Sequence, residues 1–431
     1  MFKSLSKLIF CISLCFINYA NASYNLDNAI SSALESNQQI EIAKKKLKIA
    51  ILEKSRPIAD FLPNISLELD QFFHYPESMK SGTNDVKLKI DQEIFTGGST
   101  LLKFIQADIK INALYHDYNK TLNQVILKTI ESYQNLLTSR EIVDIQNTNV
   151  KIAKKHLKQA LFQVQNGSET RTTLLRAKTY LADVESNLEK YLFDLIKAES
   201  DFRYIIGTKA PTHMDSINLS QFSKINNLES LKYLVMLNNP DILNAKCILH
   251  AYRQEIKFQK SYLMPRITLF GQIWRDGYLK ENDVFQKNIS PRKNAYGIKI
   301  HIPLFYKGGT QYFNIFEAKS KASLQKHSLQ DVINSVERRV YQVWNGYNSN
   351  ANIYKLSLQA EFNAYKAYKS TKAEFNVGAK TLIELINRQN DYNYLIIKRM
   401  IKENDYISSF FQIGNLIGDL PKVFNCNLKF N

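Results

Sequence analysis

The chain has 431 residues, with 57 Lys and Arg against 40 Asp and Glu, so its formal net charge is +17. Its basic residues are abundant everywhere and are not concentrated in one stripe, which argues against a nucleic-acid-binding protein. Four cysteines in a chain of this length exclude a small disulfide-stapled fold.

The first 22 residues have the pattern of a secretory signal peptide. Lys3 and Lys7 give a basic start, residues 8–17 are apolar, and Ala20-Asn21-Ala22 provides small residues for cleavage. The apolar stretch is too short to cross a bilayer as a helix. We therefore expect residues 1–22 to be removed, leaving a mature chain with a net charge of 17 − 2 = +15.

Two cysteines follow that segment, Cys247 and Cys426, and the sequence leaves open whether they are free thiols or form one bridge. After residue 22 no stretch reaches the roughly 18 apolar residues of a transmembrane helix. Export from the cytoplasm also separates the chain from nucleic acid, so we expect no nucleic-acid partner.

Two very long helices are predicted, at about 99–166 and 310–377. The first stretch has no glycine or proline and the second has only Gly346, whereas these residues usually interrupt helices. Apolar residues in the first stretch recur at coiled-coil spacing, which predicts a seam for a neighbouring helix. Shorter helices are predicted at about 25–57, 170–206, 227–260 and 380–417.

Two β-hairpins are predicted before the long helices, at about 64–95 and 266–305. Apolar residues alternate with polar ones, as Ile65 and Leu67 do with Ser66 and Glu68, which predicts strands with one apolar and one polar face. If the apolar face meets lipid, the polar face lines a water-filled lumen. The residues expected to face that lumen are Glu68, Asp70, Lys87, Lys89, Asp91, Lys299 and His301.

Alternation of this kind also fits a soluble sheet with one wet face. In an exported chain, however, strands of about a dozen residues are long enough to cross an outer membrane. Four strands cannot close a barrel, and every strand edge in lipid must be paired. The membrane interpretation therefore predicts a trimer with a shared twelve-stranded barrel. Aromatic residues near the hairpin ends are interpreted as a girdle at the membrane surface: Phe72, Phe73, Tyr75, Trp274 and Tyr278.

The chain carries the same marks twice in the same order. Leu62-Pro63 corresponds to Met264-Pro265 at an offset of 265 − 63 = 202, and Gly167 corresponds to Gly378 at an offset of 378 − 167 = 211. An insertion in the second hairpin accounts for the difference. We predict a first structural repeat at 23–206, a linker at 207–226, a second repeat at 227–418 and a tail at 419–431.

These marks resemble the TolC-type outer-membrane efflux proteins over almost the whole mature chain. The most specific are the two helix ends at Pro63 and Pro265, the Gly-Gly pairs at 97–98 and 308–309, and the turns at Asn166-Gly167 and Val377-Gly378. The resemblance implies a mainly α fold with a membrane β-barrel. It also implies a homotrimer with twelve strands in outer-membrane lipid and a long antiparallel coiled-coil cylinder in the periplasm.

Proteins of this family are passive exit ducts of tripartite efflux pumps or type I secretion systems. The resemblance therefore implies a periplasmic adaptor and an inner-membrane transporter as partners, and it places the adaptor at the helix-turn tips, Gly167 and Gly378. The cargo stays open, because drugs and secreted proteins use the same type of duct.

The resemblance also implies a periplasmic gate near the second turn, at Phe375, Lys380, Glu384 and Asn387. Family members often carry two aspartates just past this turn, where this chain has Glu384 and Asn387. One ring of three carboxylates would therefore replace two rings. Thr172 and Thr173 match a first-turn pair in which an aspartate can occur, so that carboxylate is absent as well.

The main alternative is a soluble periplasmic coiled-coil adaptor or scaffold, which would share the helices and the signal peptide. An enzyme is not indicated, because the chain has no nucleophile motif and its seven histidines show no metal-ligand spacing. The Gly-Gly pairs lack the other residues of a phosphate-binding loop. We expect no catalytic residues, no metal and no cofactor.

Overall fold

The structure is a computed structural model that describes residues 24–71, 81–222, 227–280, 288–289, 292–305 and 307–424. The predicted signal peptide, Cys426 and the aromatic residues Phe72, Phe73 and Tyr75 lie outside the described residues. For Tyr278 the structure describes the backbone alone.

Helices make up most of the described chain. They run over Leu26–Ser36 (α1), Gln38–Glu53 (α2), Arg56–Ala59 (α3), Ser99–Gln165 (α4), Arg171–Ile206 (α5), Leu228–Asn238 (α6), Pro240–Ser261 (α7), Thr310–Asn376 (α8), Leu382–Ile417 (α9) and Leu420–Val423 (α10). The two long helices, α4 and α8, have 67 residues each. Their prediction from the absence of glycine and proline is confirmed to within a few residues at each end.

The helices predicted at 25–57 and 227–260 are each interrupted, which corrects the prediction. Asn239 has ψ 124° and ends α6, because the proline that follows disfavours helical geometry in the residue before it. Asn37 has ψ 119°, and its side-chain oxygen accepts a hydrogen bond from the backbone N–H of Gln39 at 2.9 Å. An asparagine thus ends one helix at both places.

The strands form one antiparallel sheet. They run over Asn64–Gln71 (β1), Ser81–Phe95 (β2), Arg266–Lys280 (β3), Asn288–Ile289 (β4) and Lys293–His301 (β5). The order is β1-β2-β3, and both β4 and β5 pair with β3. The β2–β3 pairing therefore joins the two predicted hairpins, with a register shift between Glu93 and Phe95.

The chain divides into two compact units, and each contains segments from both halves of the sequence. One unit includes the described residues within Met1–Glu41, Asn119–Asn239 and Glu337–Asn431, and the other includes those within Ile42–Tyr118 and Pro240–Val336. Of the helices in the described ranges, none is long and apolar enough to span a membrane.

The described part of the first unit is mainly helical, and its core lies between α1, α4 and α9. Ile30, Ile126, Ile130 and Phe411 are at most 1% exposed and pack in one cluster. Thr381 caps the start of helix α9, and Gly418, which has a left-handed φ of 89°, caps its end. The glycine fits because a side chain is disfavoured at this φ.

The second unit contains the sheet and the helix segments next to it. Helices α4 and α7 are joined by hydrogen bonds from the Asn244 side chain to the Ala113 carbonyl at 2.9 Å and from Gln106 to Glu255 at 2.8 Å. An ion pair between Lys103 and Asp60 connects α4 to the residue just past α3. These contacts fix the helices at the end of the sheet where β1 begins.

Candidate channel wall and periplasmic turns

The apolar face of the sheet is uncovered. Residues directly opposite each other in neighbouring strands share a face, and Leu67, Leu88 and Ile273 form one such row across β1, β2 and β3. Leu67 is 62% exposed, and Ile298 and Ile300 on β5 are 64% and 62% exposed. A soluble sheet buries this face, so the exposure indicates a surface made for an apolar environment.

The opposite face is polar and carries cross-strand ion pairs. Lys87 pairs with Asp70 at 3.2 Å, and Lys89 pairs with Glu68. These pairs offset charges on a face where both signs occur. The register places all seven predicted lumen residues on this face, namely Glu68, Asp70, Lys87, Lys89, Asp91, Lys299 and His301.

The register corrects the interpretation of Trp274 as part of a lipid-facing girdle. Trp274 lies opposite Lys87 on β2 and opposite Lys293 on β5. It therefore belongs to the polar face, because side chains alternate along a strand and Ile273 points to the apolar side. Proximity to the end of the hairpin suggested the girdle, but the parity of the position decides the face.

The polar face ends in an open depression of about 960 Å³ near the start of the strands. Its lining includes Asp91, Glu93, Arg266, Lys299 and His301. The Arg266 guanidinium lies 5.1 Å from the centre of the Tyr262 ring, a cation–π contact that orients it. Both signs of charge are present, so this surface favours water and polar solutes and does not select ions of one sign.

The turn at Gly378 reverses α8 into α9. The Gly378 N–H donates to the Phe375 carbonyl at 3.0 Å, and the Ala379 N–H donates to the Glu374 carbonyl at 2.9 Å. These two bonds are the Schellman motif, which satisfies the free carbonyls at a helix end. Gly378 has φ 79°, which explains the glycine.

Glu384 belongs to the cap of α9. The Thr381 side chain accepts a hydrogen bond from the Glu384 N–H, and the Glu384 carboxylate accepts one from the Thr381 N–H at 2.9 Å. This reciprocal arrangement is a capping box. Lys380 donates a further bond to the same carboxylate at 3.0 Å, as expected for residues four apart.

These bonds determine the charge state of Glu384. The backbone N–H of Thr381, followed by the Lys380 ammonium and the Thr381 hydroxyl, lowers the pKa of Glu384 from 4.5 to about 2. The hydrogen bond to Glu384 also raises the pKa of Lys380. Both groups therefore stay charged over the physiological pH range, and each partly offsets the field of the other.

Phe375 and Asn387 lie in different surroundings. Phe375 is half-buried and packs against a cluster of residues from α4, α5 and α9 that includes Ala153, Tyr180 and Leu382. Asn387 is exposed, one helical turn beyond Glu384. Phe375 thus holds the end of α8 against its neighbours, while Asn387 is available at the surface of the single chain.

The turn at Gly167, between α4 and α5, has the same pattern of backbone hydrogen bonds as the turn at Gly378 but different charged residues. Gly167 has φ 72°, and the Ser168 N–H donates to the Gln163 carbonyl at 2.9 Å, as at the second turn. Thr173 occupies the place of Glu384 and is 2% exposed. Its hydroxyl donates to the Glu169 carboxylate at 2.8 Å. The first turn therefore has no carboxylate at position 173, but it has one four residues earlier, at Glu169.

An ion-pair network between α8 and α9 was not predicted from the sequence. Arg399 contacts Glu361 at 2.8 Å and Glu403 at 2.7 Å, and the Tyr354 hydroxyl donates to Glu403 at 3.0 Å. Burial raises the pKa of Tyr354 to about 12. The spacing of Arg399 and Glu403 was a visible signal, but only the fold shows that Glu361 completes the network.

No group of three or more His, Cys, Asp or Glu residues in the described ranges is placed to hold a metal ion. Burial raises the pKa of the Cys247 thiol, which lowers the fraction of the reactive thiolate. The described surfaces include an exposed apolar sheet face, a charged sheet face and two capped helical turns. A sheet that is apolar on one face and charged on the other is typical of the wall of a membrane channel.

Comparison with known proteins identifies the family. The family model described as Outer membrane efflux protein matches residues 29–208 and 231–393. The chain therefore belongs to the outer membrane efflux protein family, as the sequence marks predicted. It is an outer-membrane protein of the efflux-channel class.

The relatives are distant but extend over most of the chain. Outer membrane protein TolC of Vibrio cholerae is 22% identical, over 97% of this chain and 96% of that protein. Outer membrane efflux protein BepC of Brucella suis is 19% identical, over 78% and 72%. Alkaline protease secretion protein AprF of Pseudomonas aeruginosa is 18% identical, over 69% and 62%.

The fold also matches solved structures. The CmeC outer membrane channel of Campylobacter jejuni superimposes with a TM-score of 0.78 at 15% identity, over 91% of this chain and 85% of that chain. The agreement in fold at such low identity supports the arrangement of strands and long helices described above.

Proposed function

We propose that this protein is the passive exit duct of a tripartite efflux pump or a type I secretion system. Its sheet would lie in the outer membrane and its helices would extend into the periplasm. The observation that carries the proposal is the uncovered apolar face of a sheet whose other face is charged, with Leu67 62% exposed and Ile298 64% exposed. Lipid would cover the first face and water would fill the space at the second.

A closed barrel requires more strands than one chain has. Among the described strands, β1 and β5 lie at the two ends of the long-strand order and each pairs with one long neighbour. In lipid, the outer edge of each would need a further strand to satisfy its backbone groups. Three chains with four long strands each would form a twelve-stranded barrel without edges. We therefore propose a homotrimer in which β1 of one chain pairs with β5 of the next.

An internal two-fold repeat is supported by the element lengths. Helices α1 and α6 have 11 residues each, α4 and α8 have 67 each, and α5 and α9 have 36 each. With such a repeat, three chains would present six similar helical turns around a pore, two from each chain. A duplication of one ancestral segment accounts for the equal helix lengths in the two halves of the chain.

We place a periplasmic adaptor at the capped turns, Gly167 and Gly378, and an inner-membrane transporter behind it. Val377 is 81% exposed and Phe162 is 65% exposed beside these turns, so apolar contacts are available to a docking helix. The names of the relatives indicate both efflux and protease secretion, so the class of cargo stays open. A soluble scaffold has no comparable support, because it would leave the apolar sheet face in water.

The proposal is tested by purification from membranes in a mild detergent. We expect the protein in the outer-membrane fraction, with a mass of three chains by native mass spectrometry and stepwise conductance in a planar bilayer. A monomer that stays monodisperse without detergent would refute the trimeric duct and favour the scaffold.

A further inference from the structure

An open cavity of about 600 Å³ lies between α1, α6, α8, α9 and α10 in the first unit. Its described lining is mainly apolar and aromatic, with Phe222, Leu234, Tyr347, Phe410, Phe411 and Phe424 among its residues. This volume lies within the roughly 300–1,000 Å³ of small-molecule sites, which are also mostly apolar with a few polar groups.

The aromatic side chains that line the cavity pack against one another. The Phe222 ring lies 5.1 Å from the Phe411 ring at an angle of 80° and 5.7 Å from the Phe424 ring. Phe410 lies 5.3 Å from Phe411 at 89°, and Tyr347 lies 6.2 Å from Phe410. Perpendicular rings expose both edges and faces, and ring faces attract cations. A bound planar ring would need little rearrangement of these side chains.

The described lining of the cavity is acidic, whereas the chain as a whole is basic. This described lining contains two carboxylates, Asp27 and Asp419, and no basic side chain, although the chain as a whole has a net charge of +17. The Lys422 ammonium forms an ion pair with the Asp419 carboxylate at 2.8 Å. Asp27 is exposed in the first turn of α1, and no ion pair to it occurs within the described residues.

We propose that this cavity is a binding site for a planar aromatic cation. The rings of the ligand would stack against Phe222, Phe410 and Tyr347, and its positive charge would lie near Asp27. The aromatic faces favour a cation over an anion, and the free carboxylate adds to that preference. The site is separate from the sheet and the periplasmic turns, so it goes beyond the duct function and does not depend on it.

The test uses the full-length protein in detergent and two probes of similar size, the cation ethidium and the anion 1-anilinonaphthalene-8-sulfonate. Fluorescence titrations are corrected with protein-free micelles. We expect saturable binding of ethidium and little binding of the anion. Binding of both probes with equal affinity would overturn the proposal, as would the absence of saturable ethidium binding.

Variants locate the site. Asp27→Asn keeps the shape and removes the charge, so ethidium affinity should fall about fivefold, the effect of losing one partly exposed charge. The control Asp201→Asn changes an exposed carboxylate on α5 outside the lining and should have no effect. Equal effects of the two substitutions would show non-specific attraction and overturn the site.

Two further variants address the volume of the cavity. Leu234→Trp fills it and should abolish saturable binding, with thermal melting as the check on folding. A chain ending at Phe424 should bind ethidium as the full chain does. Much tighter binding by the shortened chain would mean that residues 425–431 are the natural occupant, which would overturn a small-molecule site.

Discussion

Glu384 shows how one carboxylate can serve a helix cap and a proposed gate together. Its oxygens accept hydrogen bonds from the Thr381 N–H at 2.9 Å, the Thr381 hydroxyl at 3.0 Å and the Lys380 ammonium at 3.0 Å. A side chain held by three donors has little freedom to reach into a pore. Its direction is therefore set by the cap, and any role in a pore follows from that direction.

The pH dependence of this cap follows from the pKa of Glu384, which is lowered from 4.5 to about 2. Because the folded-state pKa lies below the ordinary value, the carboxylate stabilises the turn fully above pH 4.5, and this contribution is lost as the pH falls towards 2. Hydrogen exchange of the peptide 379–386, corrected for intrinsic rates, should accelerate over that range. Glu384→Gln keeps an acceptor that does not titrate and should remove the dependence. The same acceleration in the variant would contradict the capping account.

Arg399, a half-buried arginine of α9, is expected to contribute strongly to the stability of the helical unit. Its side chain and that of Glu361 are each 22% exposed. Arg399→Met would leave two carboxylates close together without a counter-charge, which costs about 3–5 kcal/mol when fully buried, and about 1–3 kcal/mol in this partly hydrated place. Thermal unfolding of the assembled protein would measure the loss.

The matched control is Arg388→Met on the same helix. Arg388 pairs with Asp391 at 3.0 Å, but the two side chains are 54% and 56% exposed. A pair so accessible to water contributes little, so we expect a change within about 0.5 kcal/mol. If the two substitutions lowered the melting temperature equally, the partly buried network around Arg399 would stabilise the protein no more than an exposed ion pair.

At the scale of the element, the strands offer the sharpest contrast because neighbouring positions face opposite environments. Leu269→Arg places a charge on the apolar face, where it should cost about 2 kcal/mol, between the values for the membrane midplane and the interface. Thr268→Arg places the same charge on the polar face, opposite Glu93 and Lys299. We expect the first variant to yield less assembled protein in outer membranes and the second to assemble normally. Equal yields would mean that the faces are assigned wrongly.

The long elements could be predicted from the sequence because their signals are local. Alternation along a strand indicates which face a residue belongs to, so the sequence could place the seven charged residues from Glu68 to His301 on one face of the sheet. That this face lines a lumen stays a prediction. Helix breaks were harder to predict, since the Asn37 side chain caps the start of α2 through a bond from the Gln39 N–H that an asparagine permits but does not require. The position of Trp274 near the hairpin end predicts a girdle residue, but its place in the alternation along β3 puts it on the polar face.

Long-range partners could not be predicted at all. Tyr133 donates from its hydroxyl to the carbonyls of Tyr24 and Asp215, which are far apart in sequence. The Glu361 contact of Arg399 and the Lys232 contact of Glu337 likewise join elements that only the fold brings together. Such pairs have no periodic signal, because their spacing depends on how the helices pack.

At the scale of the whole molecule, a closed duct would have to be held shut by packing more than by charge. Phe375 packs against the cluster that contains Ala153 and Leu382. Phe375→Ala would remove these contacts from each chain of the proposed trimer. We expect a higher open fraction in single-channel recordings, with Val377→Ala as the control because Val377 is 81% exposed beside the same turn. An unchanged open fraction for Phe375→Ala would exclude this residue from the gate.

The charge at the proposed entrance can be separated from its packing through Lys380. Three Glu384 carboxylates near one axis would attract divalent cations, but each is paired with a Lys380 ammonium at 3.0 Å, which offsets much of the local potential. Lys380→Met should therefore strengthen divalent-cation block of the conductance, while Glu384→Gln should weaken it, and neither should change the number of chains in the assembly. The two effects have opposite signs because one substitution removes a positive charge and the other a negative charge at the same place. Conductance titrations with Mg²⁺ measure both, and a block that moves in the same direction for both variants would place the constriction elsewhere in the channel.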